Sequence, residues 1–361
     1  MSRPLEQIHH WLCWGPGGWV IFLGIICYLF VSSWAVCYKF AYGNLLHMGS
    51  GDFFLDEPSV FAKAGALTIL VGLGLVRTEL IVSWLAMQMR RPKHRLCGWK
   101  TVMQSDDYTR SGFYPDVPAD RSFRLRFCKY VHTSRGCFDG DRPLADRVYH
   151  VTHIGKKCER DQKMRGVHLP LYDHYCHWIG AVVWLDTIKP YLLFLVFMAL
   201  DALIVIASSI AAMALPARTS GLIYAPVVVL ASLIVALLAF DNAWKRWKSL
   251  AFENITIQEC KEVHASSGGF WFAIAMEGTG QDGEYSWFFR RYGGNPWDLG
   301  IRSNIHQAFG GLLDCLLPWT QPPRVRRYAD RSQVSDFEMS EHFWKWVEEQ
   351  RRERRAVLDR R

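Results

Sequence analysis

The sequence predicts a membrane all-α fold: a four-transmembrane-helix bundle with a loop-rich cytosolic cysteine-rich module. Three observations carry the prediction. Hydrophobic residues make up 50% of the 361 positions and are concentrated in a few long runs. Two of those runs contain no charged side chain over the ~20 residues needed to cross a bilayer core. Between the second and third runs lies a polar, turn-rich stretch in which cysteines and histidines accumulate.

Residues 1–17 form a short cytosolic start. Gly18–Tyr38 is the first span; it is too long for a secretory h-region and no small-residue cleavage site with a preceding basic stretch stands out, so it reads as a retained anchor. A loop over residues 39–60, bearing Asp52, Asp56 and Glu57, leads to the second span, Phe61–Met89. That span carries Lys63, Arg77 and Glu79, and the third, Pro190–Leu215, carries Asp201. Gly221–Phe240, free of charge, is the fourth. The layout is therefore 1–17, spans one and two within 18–89, the module at 90–189, spans three and four within 190–240, and a C-terminal region at 241–361. Arg77 and Asp201 lie at similar depths, roughly 11 residues or ~16 Å from the module ends of their spans at 1.5 Å per residue. An intramembrane charge needs a partner, so the two can pair, with Glu79 as the alternative.

Lys and Arg are abundant in 90–189 and in the C-terminal region and sparse in the short connections, which places both, and both termini, in the cytosol. The result is a multi-pass protein of an endomembrane or the plasma membrane, with the lipid bilayer as a partner. The net charge of +8 reads as positive-inside bias, and no nucleic acid partner is expected. Asp336–Arg361 mixes Phe343, Trp344 and Trp346 with dense charge and predicts an amphipathic helix, either solvated or lying on lipid. In the module, Arg91-Pro92, Tyr114-Pro115 and Phe138-Asp139-Gly140-Asp141 are turn signals. A reducing compartment disfavours disulfides for Cys97, Cys128, Cys137, Cys158 and Cys176, leaving metal ligation or catalysis.

The chemistry concentrates in Leu171-Tyr172-Asp173-His174-Tyr175-Cys176-His177-Trp178-Ile179-Gly180, just before the third span. A thiol reacts as its thiolate, and at a reference pKa of ~8.5 most of it is protonated at neutral pH. His174 can take that proton, and Asp173 can orient the imidazole, the logic of nucleophile, base and orienter. Two further segments stand in order behind it. Thr256-Ile257-Gln258-Glu259 follows the fourth span, and Asn295-Pro296-Trp297-Asp298-Leu299-Gly300 leads on to Asn304 and Gly310.

Together these three segments resemble the DHHC protein acyltransferases: the Asp-His-x-Cys motif followed by Trp, the Thr-Thr-x-Glu element with its second threonine replaced, and the C-terminal Asn-Pro motif. The resemblance runs from the first span to about residue 310. It implies that Cys176 is acylated, with His174 as base and Asp173 as orienter, and that Thr256, Glu259 and Asn304 support the site. Tyr175 stands where most members have a second histidine, which is similar to a fungal branch of the family; His177 replaces a usual proline. The family carries two structural zinc sites. Tyr175, Val151 and Val182 occupy ligand positions of the second, so one zinc is expected, held by Cys128, Cys137, His150 and Cys158, with His132 or His153 as substitutes.

The implied function is transfer of a long acyl chain (palmitoyl) from acyl-CoA, through acyl-Cys176, to cysteines of membrane-associated substrate proteins. Lys189, Lys245, Arg246 and Lys248 are the cations placed to meet the CoA phosphates. Two other readings stay open: a catalytically silent membrane scaffold of the same family, and a transporter or channel motivated by Arg77, Glu79 and Asp201.

Overall fold

The computed structural model describes residues 17–46, 60–90, 171, 173–176, 178–214, 219–257, 260, 269–275, 285–291, 295, 297–329, 340–358 and 360, and the backbone of short strands within 99–150. Four long helices dominate. α1 (Gly17–Ser32) continues without a break as a π-helix over Ser33–Leu45; α2 is Val60–Met89, α3 Ile188–Met213 and α4 Thr219–Phe252. Each contains a stretch long and apolar enough to cross a membrane: Leu23–Gly43, Val60–Met89, Ile188–Met213 and Tyr224–Phe252. The protein is thus a membrane protein with a four-helix bundle.

Two boundaries differ from the hydropathy reading. The first helix runs on to Leu45 through the segment expected to be a loop. The change to π geometry begins at Ser32 and Ser33, whose hydroxyls both bond the Leu29 carbonyl, at 3.3 and 2.7 Å, and so compete with the helix ladder. α4 ends at Phe252 rather than Phe240. The apolar run stops at Asp241, but Ala243, Trp247 and Leu250, spaced four and three apart, continue one face of the helix into the core. Lys245, Arg246 and Lys248 therefore sit on a rigid helix and not on a loop beyond it.

α3 is the central helix. Half of its most apolar window is buried, against 22%, 22% and 28% in the other three, and it packs along both α2 and α4. Ala202, Val205, Ser209 and Ala212 on its buried side let neighbouring backbones approach closely. Mid-bundle, the expected charge pair forms: Arg77 Nε lies 2.7 Å from Asp201 Oδ1, with Asp201 fully buried. The Tyr28 hydroxyl donates to the second carboxylate oxygen at 3.2 Å, and the Arg77 guanidinium also donates to the Leu29 carbonyl, Ser32 Oγ and Ser33 Oγ. Three helices are thus joined at one polar point, and Arg77 turns to Asp201 rather than to Glu79.

Outside the bundle the chain also forms strands, which the all-α expectation did not include. Short pairs β1 (Trp99–Lys100) with β2 (Phe127–Cys128) and β3 (Val131–Thr133) with β4 (Gly136–Cys137) precede β5 (Val148–His150). Next come a hairpin, β6 (His174–Cys176) with β7 (Ala181–Val183), and after α4 a second one, β8 (Gly269–Ala275) with β9 (Tyr285–Arg291). β5 pairs antiparallel with β8, so the module and the C-terminal region share one three-stranded sheet. β8 reads Gly-Phe-Trp-Phe-Ala-Ile-Ala, aromatic and β-branched enough to favour a strand.

The remaining elements are α5 (Ile301–Phe309), a 3₁₀ turn at Asp314–Leu316, α6 (Pro323–Ala329) and α7 (Glu341–Leu358). α7 is the predicted amphipathic helix, and its apolar face turns back onto the protein. Phe343 is fully buried in the main core, and its ring lies 5.6 Å from that of Trp346. The solvated side carries Glu341–Lys345 and Glu348–Arg352 pairs at helical spacing.

Candidate functional site

Strand geometry decides which residues of the motif can act together. Side chains alternate across a strand, so His174 and Cys176 share one face of β6 and Tyr175 takes the other. The hairpin pairs His174 with Val183, Tyr175 with Val182 and Cys176 with Ala181. Its turn closes on the Cys176 carbonyl, which accepts from Gly180 N at 2.9 Å and Ile179 N at 3.3 Å. Gly180 has φ +68°, a left-handed conformation that glycine adopts without steric cost.

Two spans hold this hairpin. From α2, Trp84 Nε1 and Gln88 Nε2 both donate to the Ile179 carbonyl, at 3.2 and 2.8 Å. At the start of α3, Thr187 Oγ1 donates to the Val182 carbonyl at 2.6 Å. Ile179, Ala181, Val183, Trp184 and Leu185 are all buried in the main core. Cys176 is 7% exposed and belongs to the same core, so its sulfur sits against the apolar bundle.

Around it the polar groups form a chain. Asp173 Oδ2 is 3.0 Å from His174 Nδ1, and Arg246 Nε is 2.9 Å from the same oxygen. Arg246 in turn donates to Asn242, one helical turn back on α4, and its guanidinium lies 5.1 Å over the Tyr191 ring. The His174 ring meets Tyr191 edge-on at 5.4 Å. Both His174 and Tyr191 lie close enough to Cys176 for their ionisation to be coupled to the thiol.

Burial alone would push the Asp173 carboxyl up, but the His174 hydrogen bond and the charges of His174 and Arg246 outweigh it and hold the group well below the usual carboxylate range. Burial likewise works against a charged His174, yet the hydrogen bonds and charges of Asp173 and Cys176 lift it above the ordinary histidine value. The arrangement keeps an ionised carboxylate on Nδ1 and leaves an imidazole able to accept and hold the proton of Cys176.

The four cations expected to meet phosphates separate into two kinds. Lys245 and Lys248 are exposed, Lys245 pairing with Asp241 at 2.6 Å. Arg246, by contrast, is only 15% exposed and is paired with Asp173 beside His174, not turned outward like the two lysines. Lys189 is 1% exposed and donates to the Asp314 carbonyl at 2.5 Å, the Thr320 carbonyl at 3.2 Å and Thr320 Oγ1 at 2.5 Å. It ties α3 to the C-terminal region instead of facing outward. The physical reason is the same for both residues: side chains at a span end can fold back to satisfy buried acceptors.

Among the supporting residues, Thr256 is buried and lines a small, mainly apolar cavity together with Asp173, Val183, Tyr191, Arg246 and Leu250. Two residues past the end of α4, Asn254 has a φ of +50°, the left-handed conformation that asparagine tolerates; Ile255 N then bonds back to the Ser249 carbonyl at 3.2 Å. This turn delivers Thr256 to the cavity. Asn304, fully buried in α5, donates to the Ala251 carbonyl at 3.1 Å and to Asp298 Oδ1 at 2.9 Å, and accepts from Leu299 N at 3.0 Å. Asn254 adds bonds to the Trp297 carbonyl and Gln307 Oε1. The Asn-Pro segment is thus buckled to the end of α4, four residues short of Thr256. Glu259 and His177 lie outside the described residues.

Cys158 and the side chains of Cys128, Cys137 and His150 also lie outside the described residues. In the backbone, Cys128 pairs with Trp99, Cys137 with Val131 and His150 with Phe272. Among the described residues no three His, Cys, Asp or Glu side chains converge on a metal position. Tyr175 and Val182, two expected ligand positions of the second zinc site, are direct cross-strand partners.

Sequence reasoning missed Arg246 as Asp173's partner, Tyr191 as the ring beside His174, and Trp84 and Gln88 as clamps on the hairpin. The signal for Arg246 was present: the Ala243, Trp247, Leu250 stripe continues α4 past Asp241. For Tyr191 and Gln88 nothing local distinguishes them from other residues near a span end. A scan against protein-family models and a search of curated proteins found no match to the chain.

Proposed function

We propose that the chain is a membrane-embedded protein S-acyltransferase of the DHHC type, moving a long acyl chain (palmitoyl) from acyl-CoA to cysteines of membrane-associated proteins. One observation supports this above the others: a buried cysteine beside a histidine whose Nδ1 is held at 3.0 Å by an ionised carboxylate, at the end of a four-helix membrane bundle. That combination suits a nucleophile whose co-substrate is part lipid and part polyanion.

In the first step His174 takes the Cys176 proton, and the thiolate attacks the thioester carbonyl of acyl-CoA. The C–S bond to CoA breaks, and the CoA thiolate leaves with a proton returned from the imidazolium. In the second step His174 removes the proton of a substrate cysteine, whose thiolate attacks the acyl-Cys176 carbonyl; the C–S bond to Cys176 breaks, and the imidazolium returns the proton to the Cys176 thiolate. Asp173 stabilises the imidazolium in both steps, and Arg246, 2.9 Å from the same carboxylate oxygen, holds Asp173 beside it. The acyl chain gains ~0.8 kcal/mol per methylene among apolar helices. Lys245 and Lys248 are the exposed cations left to meet CoA phosphates. This function requires residues 90–189 and both termini to be cytosolic; Cys128, Cys137, His150 and Cys158 are the residues that would hold a zinc, which would serve the module's fold.

The test is direct. Incubated with labelled palmitoyl-CoA, the protein acquires a thioester at Cys176 that neutral hydroxylamine removes, and Cys176→Ser takes up none. A folded wild type in its native membrane that takes up no label ends the enzyme reading and leaves the scaffold reading in its place.

A further inference from the structure

Between α5 and α6 the chain reads Gly310-Gly311-Leu312-Leu313-Asp314-Cys315-Leu316-Leu317-Pro318-Trp319-Thr320. Its large apolar side chains face outward: Leu312 is 87% exposed, Leu313 80%, Leu316 56% and Trp319 54%. A contiguous outward cluster of this kind marks a contact surface.

Its position identifies the contact. Arg90 closes α2, and its guanidinium donates to the Trp319 carbonyl at 2.7 Å. Lys189 lies in the first turn of α3 and holds the Asp314 carbonyl and Thr320 from inside. The loop is therefore fastened at both its middle and its end to the termini of two spans, at the level where the bilayer surface begins. Met89, the last residue of α2, is itself 74% exposed.

The loop is also built for a medium that offers few hydrogen bonds. Backbone polar groups near the bilayer core need internal partners, because no water is there to bond them. Here the carbonyls of Gly311, Leu312, Leu313, Asp314, Leu317 and Trp319 all accept bonds from the protein, among them Cys315 N to Gly311 at 2.9 Å and Thr320 Oγ1 to Leu317 at 2.9 Å. Trp319 sits at the base of the loop, and tryptophan favours the headgroup zone, where one part of the ring system is apolar and the other is wet.

We propose that residues 310–320 form an interfacial anchor that inserts Leu312, Leu313 and Leu316 into the bilayer holding the bundle, with Trp319 at headgroup level. The anchor also sets the depth of the site. The Arg90 side chain that holds Trp319 bonds the Asp186 carbonyl at 3.2 Å and its carboxylate at 3.6 Å, and Asp186 lies three residues after β7. Loop and span end are thereby linked to the segment that leads from the Cys176 hairpin into α3. This inference rests on the membrane bundle alone and stands or falls separately from the acyltransferase reading.

The experiment places the photo-crosslinking residue benzoyl-phenylalanine at position 313 of the full chain, reconstituted in phosphatidylcholine vesicles. Position 237, exposed on α4 within its span, serves as the lipid-facing standard. Irradiation yields a phospholipid adduct at 313 comparable to that at 237, and Lys189→Met, which unfastens the loop, lowers the yield at 313 without changing it at 237. Absence of lipid adduct at 313 while 237 reacts overturns the proposal, as does an adduct at 313 to a second copy of the chain. Because position 313 is almost fully exposed, the probe replaces no core contact, and the yield at 237 shows that the bundle is inserted.

Discussion

Replacing Arg77 by Met removes a buried ion pair that joins helices of the bundle. Asp201 is fully buried and accepts from Arg77 Nε at 2.7 Å, Arg77 Nη2 at 3.5 Å and Tyr28 Oη at 3.2 Å. The substitution leaves it one neutral donor. Breaking a buried ion pair from one side typically costs ~3–5 kcal/mol, because a charge stays behind without compensation. Arg77→Met should fall within that range, with Asp201→Leu close to it, since an orphaned Arg77 keeps its contacts to Leu29, Ser32 and Ser33. The double variant Arg77→Met/Asp201→Leu should be far milder than the sum, because an apolar pair of similar volume suits the bundle interior. The expected coupling energy in a double-mutant cycle is at least ~3–5 kcal/mol, half or more of the summed single losses, read from reversible unfolding in mixed micelles. Additive losses, with coupling under ~0.5 kcal/mol, would refute the reasoning and mean that each charge is solvated independently.

Palmitoyl transfer by His174→Ala should fall by a factor of ~10² to 10⁴, and higher pH should recover part of the rate by ionising the thiol directly; Asp173→Asn should lie between this variant and wild type. Thermal stability should depend on pH in two directions around the same pair. The raised His174 value gives stability that is complete below the ordinary value of 6.5 and lost as pH climbs through the folded-state value, whereas the lowered Asp173 value gives stability present above 3.8 and lost on acidification. A His174→Gln variant whose melting curve keeps the wild-type alkaline decline would contradict this. Asn304→Ala should destabilise by ~2–3 kcal/mol, since it strands the Ala251 carbonyl and Leu299 N in a buried site; an unchanged unfolding midpoint would remove its buttressing role. Purified protein should contain about one zinc per chain, and elemental analysis giving two or none would show the ligand set to be wrong.

The sequence by itself was enough for the spans, because burial in lipid is a sum over consecutive residues and an uninterrupted apolar run states it locally. It was also enough to place Asp173, His174 and Cys176 in one constellation, since three residues so close in a strand cannot be far apart in space. The depth match of Arg77 and Asp201 was legible too, from helical rise alone. Other features depended on elements meeting. Arg246 reaches Asp173 from 73 positions away, Lys189 reaches Thr320 across 131, and Trp84 reaches Ile179 across 95. Each needs a particular helix rotation and a particular endpoint, and α4 ran past the limit that hydropathy set because its later turns are held by one apolar face only. A positive side chain near a span end has the same local appearance whether it faces phosphate, as Lys245 and Lys248 can, or folds inward, as Arg246 and Lys189 do. What separates them is whether a buried acceptor lies within reach, and that is a property of the packed bundle, not of any segment of the chain.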